Sequence, residues 1–124
     1  MFTLLPDVNQ NPDYWVILDI VQDDNSRSNK ILSGYSGGYL DADTWRLSST
    51  IISVEETDDN FLVNTLSSSI YLLNKKHIGM NAIMIDWWTT TQTAINSSNN
   101  VDNVKINMID TINEIKSLFE TLED

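Results

Sequence analysis

Gly34-Tyr35-Ser36-Gly37-Gly38 has the Gly-x-Ser-x-Gly spacing of a nucleophile elbow, and His77, the one histidine, follows it with acids in between. In serine hydrolases that serine sits on a sharp turn that ends a strand and opens a helix, which leaves its hydroxyl exposed. Gly37 and Gly38 start a helix poorly, Asp41 and Asp43 continue the turn character, and 124 residues are too few for a hydrolase sheet. The motif is therefore expected to be a glycine-rich turn between strands, and no catalytic residue is assigned.

Paired carboxylates are the other route to chemistry, because glycosidic cleavage and divalent-cation binding both use them. Two clusters are dense enough: Asp41-x-Asp43 and Glu55-Glu56-x-Asp58-Asp59. The first lacks the glycine and the final glutamate of a calcium loop, and solvated turns account for both. His77 follows two lysines without a ligand-type neighbour at helical spacing, as a surface loop residue would, and there is no cysteine for a thiolate site. No metal and no cofactor are expected.

What these clusters offer is negative surface. Eighteen acidic residues against seven basic ones give a formal charge of −11. Direct nucleic-acid binding needs clustered Lys and Arg, which are scattered here, and an anionic membrane is disfavoured by the same sign. A basic protein is the partner such a field favours, with plain solubility as the simpler alternative. The candidate partner contacts are Asp41, Asp43, Glu55, Glu56, Asp58 and Asp59. Trp88 joins them, since an exposed tryptophan beside an acid such as Asp86 resembles a protein-binding hot spot. An aromatic group, Tyr35, Tyr39, Trp45 and Tyr71, could instead line a small-molecule pocket, although core packing is the expected role of Trp45, Tyr71 and one of Trp87 and Trp88.

The elements that must position these residues follow from periodicity and turn chemistry. Pro6 and Pro12 make residues 1–13 an irregular arm. Residues 14–22 are β-branched and aromatic with apolar side chains on both faces, so this strand should be central. A polar loop at 23–29 leads to a second strand at 30–35. A long third strand from Thr44 changes its apolar face near Ser48-Ser49-Thr50, where a bulge or bend is expected, and strands at 61–65 and 69–73 complete five. Asn81 could cap a helix over 81–96, with a sixth strand over residues 80–88 as the alternative. After the low-complexity loop Asn96-Ser97-Ser98-Asn99-Asn100, the spacing of Met108, Ile112, Ile115, Phe119 and Leu122 predicts one helix over 104–122. Its seam would cover the sheet or form a homodimer contact.

The expected fold is thus α+β and a single domain over 1–124: a five-stranded antiparallel meander or small open barrel over 14–74, then one or two helices, with the C-terminal helix packed on the sheet. No run of about 18 apolar residues could span a bilayer, and Met1-Phe2-Thr3-Leu4-Leu5-Pro6 lacks the basic start and apolar stretch of a secretion signal, which points to the cytoplasm.

Gly34-Tyr-Ser-Gly-Gly-Tyr39, Thr44-Trp-Arg-Leu-Ser-Ser-Thr-Ile-Ile52, Asn64-Thr65 and Ser68-Ser-Ile-Tyr-Leu-Leu73 together resemble a pattern in small uncharacterised proteins of integron gene cassettes, plasmids and phages. The resemblance covers about a third of the chain, roughly within residues 30–74, and implies a small β-rich fold and a mobile-element origin. It carries no activity or site residue. Two functional expectations result. One is a non-enzymatic, acidic interaction protein that binds a basic nuclease, toxin or nucleic-acid-binding effector. The other is a small-molecule-binding barrel with an enclosed pocket near Tyr35, Trp45 and Tyr71.

Overall fold

The computed structural model describes residue 8 and residues 10–22, 24–36, 44–97 and 104–122. Among the described residues seven strands form two antiparallel sheets, with two α-helices. β1 (Tyr14–Val21), β2 (Arg27–Tyr35), β3 (Thr44–Leu47) and β7 (Lys105–Ile109) make one sheet in the order β3-β2-β1-β7. The second sheet holds β4 (Ile51–Glu56), β5 (Asn60–Thr65) and β6 (Ile70–Asn74) in sequence order. α1 spans Ala82–Ser97 and α2 spans Ile112–Leu122.

β1 is central because alternate side chains face opposite ways and both sets are apolar. Trp15 and Ile17 point to one side, where Ile31, Phe61, Val63, Tyr71 and Leu73 join them, closed off by Ile115 and Phe119 of α2. Val16 and Leu18 point to the other, where Leu32 and Met84 meet them and Trp87, Trp88, Ile106 and Met108 pack alongside. The molecule is therefore layered: the three-stranded sheet, the four-stranded sheet, then α1, with α2 filling the gap between the sheets. Edge-to-face contacts run from Trp15 to Phe61 (6.0 Å) and from Phe61 to Phe119 (4.9 Å), a favoured geometry for aromatic pairs.

Local chemistry sets the joints. β1 and β2 meet at a tight turn in which Gln22 N–H donates to Ser26 O (2.9 Å) and Asn25 adopts φ 66°, a conformation Asn tolerates better than most residues. The chain changes sheet at Ser48. Its N–H donates to Ile31 O (2.9 Å) and its Oγ accepts from Ile31 N–H (2.8 Å), so a side chain takes the place of the backbone acceptor and the strand can leave. A register irregularity at Ile51/Ser53 completes the corner. The expected bend is there, but the turn is sharp enough to split the long strand into β3 and β4 in different sheets, and no closed barrel results.

α1 begins where Asn81 Oδ1 accepts from Met84 N–H (3.0 Å), as expected of a helix rather than a sixth strand. Its threonine run is accommodated by Thr93 Oγ1 donating back to Thr89 O (2.9 Å).

The single helix expected over 104–122 is corrected. Residues 105–109 are β7, which pairs with β1 (Leu18↔Met108, Ile20↔Ile106) and satisfies an edge that β1 would otherwise leave bare. The helix starts only after Thr111, an N-cap whose Oγ1 accepts from Glu114 N–H (3.4 Å) and donates to Glu114 Oε1 (2.8 Å). The proposed dimer seam is consequently divided. Met108 lies under α1, whereas Ile115 and Phe119 are buried against the opposite face of the sheet.

Candidate functional site

The acidic cluster of residues 55–59 sits at the β4–β5 hairpin end. Thr57 N–H donates to Asn60 O (2.9 Å) and Asn60 N–H donates to Thr57 Oγ1 (3.1 Å), which braces the turn. Lys75 N–H donates to Asp59 O (2.9 Å) and ties the hairpin to the end of β6. Glu55, Glu56, Asp58 and Asp59 are all exposed. Adjacent strand residues face opposite ways, so Glu55 and Glu56 serve different surfaces. Glu56 is held by Lys75 Nζ at 2.6 Å and Lys116 Nζ at 3.5 Å. The Lys75 hydrogen bond is the main reason the Glu56 carboxyl titrates below its usual range. Lys75 also lies 5.2 Å above the Phe61 ring, a cation–π contact that fixes it over the core. An open bowl of about 680 Å³ is lined by Val54, Glu55, Glu56, Thr57, Asp58 and the two lysines.

Glu56 is thus committed to an ion-pair network within the chain. Glu55, Asp58 and Asp59 take part in no salt bridge among the described residues. Asp41, Asp43 and Tyr39 lie outside the described residues.

Trp88 is half-buried against the Val16–Leu18–Leu32 cluster, as is Trp87, so the expected exposed tryptophan is not Trp88. Met84, Trp87 and Trp88, three and four residues apart, all lie on the helix flank turned to the sheet. The exposed one is Trp45, at 38%, leaning on Trp87 with ring centroids 5.1 Å apart and planes tilted by 38°. It stands on β3, the last strand of its sheet on that side, where α1 covers it only in part.

Among the described members of the aromatic group, Tyr35 and Trp45 lie on an open groove. Tyr71 is buried in the main core, and the space beside Tyr35 and Trp45 is an open groove of about 320 Å³ of mixed polarity, lined by Gln10, Tyr35, Thr44, Trp45 and Arg46. Gln10 reaches it because the arm runs alongside β6, with Gln10 N–H donating to Ile70 O (3.1 Å) and Leu72 N–H donating to Gln10 O (2.9 Å). The Tyr35 hydroxyl donates to Gln10 Oε1 and accepts from Ser33 Oγ at 3.5 Å, which also reaches Arg46 O at 3.3 Å. Burial raises the pKa of both Tyr35 and Tyr71, and Arg46 beside them opposes the rise. Asp13 Oδ2 accepts from Ser36 N–H (2.8 Å) at the margin.

Of the elbow motif, Gly37 and Gly38 lie outside the described residues. Gly34 is a buried strand residue against which Met84 Sδ and the Asn81 amide pack, and a Cβ there would lie 2.8 Å from Asn81 Nδ2. Ser36 and His77 are exposed and share no hydrogen bond among the described residues. Sequence reasoning marked Arg46 as the one cation beside the aromatic group but missed Gln10 and Ser33, since Gln10 is brought in by the course of the arm. No group of three His, Cys, Asp or Glu side chains among the described residues could hold a metal ion, and none of their helices is long and apolar enough to cross a membrane. Comparison with protein-family models, with curated proteins and with solved structures gives no match, to an enzyme family or to any other.

Proposed function

We propose that this chain is a non-enzymatic, acidic interaction protein that binds the basic surface of another protein, such as a nuclease, a toxin or a nucleic-acid-binding effector, in the cytoplasm. The observation that carries the reading is the braced hairpin end, which presents Glu55, Asp58 and Asp59 as exposed carboxylates while Lys75 and Lys116 compensate only Glu56. A turn held by its own hydrogen bonds loses little conformational freedom on docking, so its charges can add to affinity instead of offsetting an ordering cost. The −11 charge of the whole chain steers a cationic partner toward it and repels nucleic acid, a way to discriminate a basic protein from the polyanion it normally holds. A mobile-element origin, suggested by the resemblance of residues 34–73 to small cassette, plasmid and phage proteins, fits a product whose role is to block such a protein.

The test is a pull-down from host lysate at low salt, eluted in rising salt steps and identified by mass spectrometry. The reading expects one basic protein that leaves in a narrow salt range. An eluate without a dominant basic protein contradicts it.

A further inference from the structure

We infer that the interface with the basic partner has an apolar centre at the corner end of the three-stranded sheet, where Leu66 and Ile52 receive an aliphatic or aromatic side chain that lies among the partner's cations. The inference rests on the acidic-interaction reading and adds the contact that charge alone does not supply. Alternation along the strands settles which side chains share a face. Ser53 pairs with Asn64 and Glu55 with Leu62, and the Asn64 amide donates to Ser53 Oγ (3.0 Å), whereas Val54, Val63 and Thr65 are buried on the core side. Leu66 follows the inward Thr65 and so stands on the outer side with Ser53, Asn64 and Glu55. Ile52 is the extra residue of the β4 irregularity, which leaves it without a partner on β5 and outside both apolar cores. At 70% and 54%, Leu66 and Ile52 are the most exposed large apolar side chains among the described residues.

The turn that carries Leu66 is pinned. Leu66 N–H donates to Thr50 O (2.8 Å), Thr65 N–H to Ser69 O (3.0 Å), Ser68 N–H to Thr65 O (2.9 Å) and Ser67 N–H to Ser49 Oγ (3.0 Å). A turn held at four points loses little freedom on docking. Charge identifies what docks. β4, β5 and β6 contain no Lys or Arg, and of their two acids Glu56 is already paired, which leaves Glu55 on this face with Asp58 and Asp59 at the hairpin end. A second copy would bring together two chains of charge −11, whereas a basic protein meets these acids with opposite charge. Glu55 stands opposite Leu62, four residues from Leu66 and so about 13 Å away at the rise of a strand. One partner's usual share of an interface, about 800 Å², spans both. The carboxylates then speed encounter, and burial of Leu66 slows departure.

The experiment titrates the whole chain with two synthetic peptides of equal length and lysine content, one with leucine and one with serine between the lysines, following backbone amides in nitrogen–proton correlation spectra. The leucine peptide is expected to bind about tenfold tighter or more, the scale of burying one aliphatic side chain, and to move the Leu66 and Ile52 signals. Leu66→Asn combined with Ile52→Thr should abolish that preference and leave the serine peptide unaffected. Glu55→Gln/Asp58→Asn/Asp59→Asn should weaken both peptides. The inference is overturned if the two peptides bind the wild type alike, if the leucine peptide leaves the Leu66 signal in place, if the double variant keeps the preference, or if the wild type sediments as a dimer that Leu66→Asn makes monomeric. The acidic reading survives each of those results while the triple variant still weakens the serine peptide, and it fails, with this inference, if the triple variant weakens neither. The two-peptide comparison uses the wild-type chain, so it decides the matter even where a variant misfolds.

Discussion

Trp15 donates its indole N–H to the carbonyl of Asn74 at 2.8 Å, from the middle of one sheet to the last strand of the other. Its side chain is fully buried, and Gly79 N–H returns to the Trp15 carbonyl at 2.9 Å. One residue thus fastens the second sheet through its side chain and the segment that leads into α1 through its backbone. Trp15→Phe keeps a ring in the core but deletes this bond and part of the packed volume. It should cost about 2–4 kcal/mol, read as a lower urea midpoint at unchanged slope.

Gly34 and Ser36 separate packing from chemistry within the Gly-x-Ser-x-Gly motif. Gly34→Ala forces Met84 and Asn81 of the α1 start to shift and should destabilise by about 1–3 kcal/mol. Ser36→Ala, at an exposed side chain, should change stability by less than about 0.5 kcal/mol. Thermal unfolding of the two variants checks both.

Alkaline pH should unfold the protein through Tyr35 and Tyr71. Burial raises both hydroxyls above 10.0, so the folded state holds their protons more tightly than the unfolded chain. The stability this contributes is complete below pH 10.0 and is lost as pH rises through the folded values. Urea unfolding at rising pH should show the loss, and Tyr71→Phe should lessen its slope.

Glu56 acts at the opposite end of the scale. Its pKa is lowered from 4.5, chiefly by the Lys75 hydrogen bond, so its contribution is present above pH 4.5 and fades as pH falls through the folded value. The carboxylate is well exposed, which limits the contribution to under about 1 kcal/mol and makes it smaller in high salt. Glu56→Gln should flatten the acid side of the stability profile by that small amount.

The elements legible in the sequence are those whose signal is local. The doubly apolar run of Tyr14–Val21 announces a central strand, the change of face at Ser48 announces a corner, and Asn81 announces a helix start. β7 was not legible in this way, because Ile106, Met108 and Ile109 satisfy strand and helix spacing alike, and the vacancy beside β1 that decides between them is a property of the assembled sheet. The Thr111-x-x-Glu114 pair was the local sign that the helix begins later. For the acidic surface, composition located the charges, but the pairing of Glu56 with Lys75 and Lys116 joins residues 19 positions and more apart, and nothing in the spacing marks it. Trp45 and Trp88 exchange their expected exposure because the ends of the sheet, not the side chains themselves, determine which of them α1 can cover.

The most direct test of the central claim compares capture by the wild type, by the Glu55→Gln/Asp58→Asn/Asp59→Asn variant and by Glu56→Gln, each shown by circular dichroism to be folded. If the free hairpin carboxylates bind the partner, the triple variant should capture at least about tenfold less of it, Glu56→Gln should capture as much as the wild type, and the wild-type complex should dissociate in a narrow range of rising salt. Equal capture by the triple variant, or a complex that survives unchanged to about 1 M salt, would contradict the account.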